Sequence, residues 1–219
     1  ELGHLWIRPW DHVRDLIKSV EGCELISAAQ AQGRGVIILA PHFGNWEVLG
    51  LHLGTLGKTV CLYEPPKLQA LGPMIVAARQ RTGATVVPTD SRGLAKLVRS
   101  VKAGCVSGIL PDQAPADVNS GENASFMGNQ CFTPTLASNM IRRTGALAVF
   151  GSAERVDGGF ALSYFAAEDG IYDADTGISL AAMNRGVEAC VRLSPEQYQW
   201  EYKRFRVRPK QGPGVYDDL

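Results

Sequence analysis

Hydrophobic and polar positions follow two rhythms along this chain. From residue 10 to 33, apolar positions at Val13, Leu16, Ile17, Val20, Leu25, Ile26 and Ala29 recur at helical spacing and predict one amphipathic helix, stopped by Gly33 and Gly35. Val36-Ile37-Ile38-Leu39-Ala40 then runs apolar without a break, with three β-branched residues, the pattern of a strand buried on both faces. The succession repeats: helices over 45–56, 68–81 and 92–102 alternate with strands over 59–63, 84–87 and 105–110. Such alternation predicts an α/β fold with a mixed, mostly parallel central sheet flanked by helices.

Residues 111–133 are rich in Pro, Asp, Asn, Ser and Gly and predict a long loop just after a strand, where α/β proteins place their sites. A helix over 134–144, strands over 146–153 and 160–166, and a helix over 177–193 complete the reading. Gly158-Gly159 between the two strands predicts a hairpin, so part of the sheet is expected to be antiparallel. No repeat, linker or compositional break divides the chain, which reads as one domain over 1–219.

Composition changes this picture little. Hydrophobic residues make up 45% and charged residues 20%, and 22 Lys+Arg balance 22 Asp+Glu. Zero net charge argues against a general nucleic-acid binder. Five cysteines, odd in number and without a CxxC pair, fit reduced thiols in the cytosol better than disulfides or a zinc site. No apolar run reaches the ~18 residues that span a bilayer. The chain begins at Glu1, so a membrane anchor upstream would go unseen.

Candidate chemistry lies at the strand ends. In Ala40-Pro41-His42-Phe43-Gly44-Asn45-Trp46-Glu47, His42 leaves a buried strand and Asn45 is placed to cap the next helix. Residues five apart do not meet on one continuous helix. With His42 on the incoming turn, however, Glu47 can fold back to accept from one ring nitrogen and leave the other as a base. HExxH, GxSxG and phosphate-loop patterns do not occur, and Gly33-Arg34-Gly35 precedes its strand where a dinucleotide fingerprint follows one. Leu110-Pro111-Asp112-Gln113 sets an acid and an amide at a second strand exit on the same sheet edge. Arg92, at a helix start, and Arg79 and Arg81, beside a helix end, are candidates for phosphate. Lys203, Arg204, Arg206, Arg208 and Lys210, interleaved with aromatics, suit an anionic membrane surface or an acidic carrier protein.

Together these segments resemble a known family. His42–Glu47 matches the H-x4-[D/E] motif of the glycerolipid acyltransferase superfamily, and the wider set resembles its bacterial late lipid A acyltransferases. The supporting blocks are Ser91-Arg92-Gly93-Leu94 with Lys102-Ala103-Gly104, Pro111-Asp112-Gln113, Phe126-Met127-Gly128 through Thr133, and Pro195-Glu196-Gln197-Tyr198 through Pro209. The resemblance covers roughly 10–209 and implies a glycerolipid-acyltransferase-like fold. It further implies an O-acyltransferase at the cytoplasmic face of the bacterial inner membrane, taking its acyl group from acyl carrier protein and passing it to a lipid acceptor. His42 would be the base, Glu47 its partner, and Arg92, Asp112, Gln113, Arg81 and Asn45 the substrate-binding set. The amides of Gly44 and Asn45 would stabilise the oxyanion, and no cofactor is called for. A thioesterase and a non-catalytic lipid- or carrier-binding module are the other two classes that these residues admit.

Overall fold

Burying Val36–Leu39 dictates the architecture, because all four side chains are inaccessible to solvent and both faces of their strand need cover. In the computed structural model, which describes residues 1–207 and 214–217, α1 (Leu2–Ile7) and α2 (Trp10–Arg14) lead into β1 (Ile17–Glu21) and α3 (Glu24–Ala31). Alternation then follows through β2 (Val36–Leu39), α4 (Trp46–Leu53), β3 (Val60–Tyr63), α5 (Gly72–Gln80), β4 (Thr85–Pro88), α6 (Ser91–Lys102) and β5 (Val106–Ile109). The remainder is the β6 (Gly121–Phe126) and β7 (Asn129–Pro134) pair, α7 (Leu136–Thr144), β8 (Leu147–Val156), β9 (Gly159–Ala166) and α8 (Thr176–Val191).

The central sheet has the order β1-β9-β8-β2-β5. β2 is parallel to both β5 and β8, and β9 returns antiparallel to β8 through the expected hairpin. A parallel β3–β4 pair continues beyond β5, joined to it by one bridge between Thr59 and Val106. Side chains alternate across β2. Ile37 and Leu39 face a core built with α6, α7 and α8, while Val36 and Ile38 face one built with the N-terminal helices and α4. The mixed, mostly parallel sheet flanked by helices is therefore present as the sequence predicts.

Two local expectations need correction. The helix predicted over 10–33 is broken by β1, which pairs parallel with β9 (Val20 opposite Leu162). Gly22, at φ +75°, then turns the chain from β1 into α3, where a Cβ would lie 1.9 Å from the Tyr164 carbonyl oxygen. The loop predicted over 111–133 contains the β6–β7 hairpin, turned by Met127 and Gly128, both at positive φ. Alternating Ala124, Phe126, Cys131 and Thr133 are its buried face, hidden in the sequence among exposed polar residues. Among the described residues no helix is long and apolar enough to cross a membrane.

Candidate active site

Strand register assembles the site. β2 and β5 run parallel with Val36 opposite Val106 and Leu39 opposite Ile109, and the Ala40 amide still donates to the Ile109 carbonyl at 2.9 Å. Each strand then exits through one residue and a proline, so the constant offset of 70 brings His42 out beside Asp112. His42 Nδ1 lies 2.7 Å from Asp112 Oδ1, and the His42 amide donates to Oδ2 at 2.9 Å. The Asp112 side chain is 1% exposed and that of His42 12%. A carboxylate with both oxygens accepting makes Nδ1 the protonated ring nitrogen and leaves the Nε2 lone pair outward. Nε2 has no hydrogen-bond partner among the described residues.

Aromatic groups steady the ring. Trp46 meets it edge-on with centroids 5.0 Å apart, and Tyr202 stacks at 6.0 Å. The C-terminal segment clasps the turn: Gln199 N donates to the His42 carbonyl and Gly44 N to the Gln197 carbonyl. Tyr198 is buried behind the pair, and burial first, then the Asp112 charge, pushes its phenol well above the ordinary range.

The expected bond from His42 to Glu47 is not made. Glu47 is held instead by Arg79, whose Nε and Nη2 donate to its two oxygens at 3.1 and 2.5 Å. Burial opposes the charge on Arg79 but the Glu47 carboxylate outweighs it, so the guanidinium stays above its ordinary value. The reason is positional. Glu47 lies in the first turn of α4 and faces α5, which carries Arg79, whereas the ring nitrogen already faces the strand exit that carries Asp112.

His42, Glu47, Arg79 and Gln113 nonetheless line one cavity of about 420 Å³, within the roughly 300–1,000 Å³ of ordinary ligand pockets. It opens where β3 parts from β5 beyond their single bridge, and much of its wall is apolar: Leu49, Leu53, Leu62, Ala84 and Val86. The other expected substrate-binding residues lie elsewhere. Asp112 stands behind the imidazole and off the cavity wall. Arg81 donates to the carbonyls of Leu5, Trp6 and Arg8 and so ties down the end of α1. Asn45 caps α4 by accepting from Val48 N, and its amide donates to Glu1. Arg92 is exposed in the first turn of α6, just past Thr89 of the cavity wall, and without a partner among the described residues.

The amides expected to hold the oxyanion are also taken, Gly44 N by Gln197 and Asn45 N by the Ala153 carbonyl. Those of Trp46 and Glu47, the first two helical positions, have no acceptor among the described residues. Of the basic C-terminal run, Arg204 is buried and donates to Phe132 O, Thr133 Oγ1 and Asn184 Oδ1, while Arg206 reaches the Ala114 carbonyl. Lys203 and Arg206 are exposed, and Arg208 and Lys210 lie outside the described residues. Among the described residues no group of three or more His, Cys, Asp and Glu is placed to hold a metal ion.

Residues 1–207 match the family model for bacterial lipid A biosynthesis acyltransferases. The chain is similar to the lipid A biosynthesis lauroyltransferase of Escherichia coli (strain K12), at 28% identity over 99% of this chain and 70% of that protein. It is similar also to the palmitoleoyltransferase of the same organism, at 27% with the same coverage. A lipid A biosynthesis acyltransferase of Haemophilus influenzae is 25% identical over 99% of this chain and 67% of its own length.

Proposed function

We propose that this chain, which belongs to the bacterial lipid A biosynthesis acyltransferase family, moves a fatty acyl group from an acyl-carrier-protein thioester to a hydroxyl of a lipid A precursor or similar lipid. One observation carries the reading: an imidazole held at Nδ1 by a buried carboxylate, with Nε2 unpaired on a largely apolar cavity. His42 Nε2 takes the proton of the acceptor hydroxyl as that oxygen attacks the thioester carbon. Asp112 keeps the tautomer and stabilises the imidazolium. As the tetrahedral intermediate collapses, the carbon–sulfur bond breaks and Nε2 returns the proton to the departing thiolate. The free amides of Trp46 and Glu47 are the better-supported oxyanion donors. Glu47 acts through Arg79 as a positioning residue. Arg79 Nη1 and Arg92 are the cations left to meet an anionic group of the acceptor.

On this reading the protein works at the cytoplasmic face of the inner membrane, with the exposed Lys203, over Tyr216, and Arg206, over Tyr202, facing an acidic carrier or an anionic lipid surface. The test is product analysis with a labelled acyl-carrier thioester and a bacterial lipid extract. Label is expected on lipid with wild type, and His42→Ala is expected to lose roughly 10²–10⁴-fold in rate. Label found only as free fatty acid would make the protein a hydrolase. An undiminished rate in His42→Ala would remove the base.

A further inference from the structure

The cavity beside His42 has a polar end and an apolar end. Its charged and polar groups, including His42, Glu47, Arg79 and Gln113, gather at the strand exits and the start of α4. From there the wall continues along α4 to Leu53, about 10 Å beyond Trp46 at 1.5 Å per residue. On the facing side it continues along β4 from Thr89 to Ala84, about 16 Å at ~3.3 Å per residue. Two glycines stand on this wall: Gly50, one turn into α4, and Gly108, in β5.

Neither glycine is required by its backbone, since neither is among the positive-φ positions. Gly in a helix interior is normally disfavoured against Ala, so Gly50 calls for another reason. A Cβ built there meets nothing within 4 Å. Because Gly50 lines the cavity, the space a larger side chain would fill is cavity space. A Cβ on Gly108 would touch Leu53 Cδ1 at 3.5 Å and Cys61 Sγ at 3.8 Å, ordinary contacts that narrow the inner wall without a clash.

We infer that the apolar end of the cavity is the acyl-chain pocket and that the missing side chains of Gly50 and Gly108 set the chain length it accepts. The inference rests on the acyl-transfer reading above and goes beyond it by assigning specificity to two residues without chemistry of their own. A side chain at either position shortens the hydrocarbon that fits while the reacting carbonyl stays at His42. Apolar pockets distinguish one methylene by roughly 10–200-fold, so a single added methyl is readable.

The experiment compares wild type with Gly50→Ala, Gly50→Val and Gly108→Ala, using acyl-carrier thioesters from octanoyl to palmitoyl. Its readout is the ratio of kcat/KM for the longest chain used to that for octanoyl. In parallel, free fatty acids of the same lengths displace a fluorescent fatty acid from each protein, a readout independent of turnover. The ratio is expected to fall at least tenfold in each variant, further in Gly50→Val than in Gly50→Ala, with displacement shifting the same way. Ratios and displacement profiles within twofold of wild type in all three variants would overturn the inference, as would a uniform loss at every length. Wild type that binds chains in the expected order but transfers none would contradict the acyl-transfer reading and leave the pocket assignment standing. Gly50→Ala raises helix propensity, so at least one variant keeps the fold.

Discussion

Two carboxylates at the site differ in what they hold. Asp112 gives both oxygens to donors of His42 itself, while Glu47 gives both of its own to Arg79. Asp112→Asn preserves shape but offers an amide where a carboxylate fixed the tautomer, and a fall of about 10³–10⁴ in kcat is expected from steady-state kinetics. Glu47→Gln leaves the imidazole in place and should reduce activity less, through a loosened Arg79. Equal losses in the two variants would contradict this division. The sequence made His42 legible, because a polar residue after Pro at a buried strand's end has few structural duties. Its partner was harder to read. Five residues of separation drew attention to Glu47, yet the decisive relation was the equal exit lengths, Ala40-Pro41-His42 and Leu110-Pro111-Asp112, on two strands in register.

Pairings between elements explain which parts of the fold the pattern revealed. β2 is a continuous apolar run because helices cover both of its faces, so it stands out in the sequence. β1 lies at a sheet edge with four of its five residues exposed and takes its conformation from pairing with β9. Local periodicity therefore could not find it. The Glu47–Arg79 pair links α4 to α5, and Arg79→Met leaves a buried carboxylate unpaired. The Arg79 side chain is 35% exposed, so solvent screening lowers the expected loss to roughly 1–3 kcal/mol, below the 3–5 of a fully buried pair. Urea unfolding reads it, and Glu47→Met added to Arg79→Met should recover part of the loss. Gly44 governs the turn that presents His42: its φ is +56° and a Cβ would lie 2.0 Å from the Ala153 carbonyl oxygen. Gly44→Ala should cost about 1–3 kcal/mol from conformation alone, more with the clash, and appear as a lowered Tm.

Across the whole molecule, stability should decline on the acid side. His52, at the end of α4, bonds Tyr164 OH at 2.7 Å, and burial holds its pKa below the ordinary 6.5. The unfolded imidazole therefore takes up a proton that the folded one resists, so stability is complete above pH ~6.5 and falls as pH drops toward the folded value. His52→Gln should flatten that part of the Tm–pH curve. The C-terminal segment returns to clasp the His42 turn and to seat Arg204 under the β6–β7 hairpin. Its basic and aromatic residues read in sequence as a partner surface, because burial of an arginine among carbonyl and hydroxyl acceptors leaves no pattern in composition. Everything at the site depends on Asp112 orienting the imidazole, and ¹⁵N NMR of the four histidines tests that directly. The His42 signals are expected to report the Nδ1–H tautomer in wild type and in Glu47→Gln, and to change in Asp112→Asn. A tautomer that changes in Glu47→Gln and persists in Asp112→Asn would contradict the account.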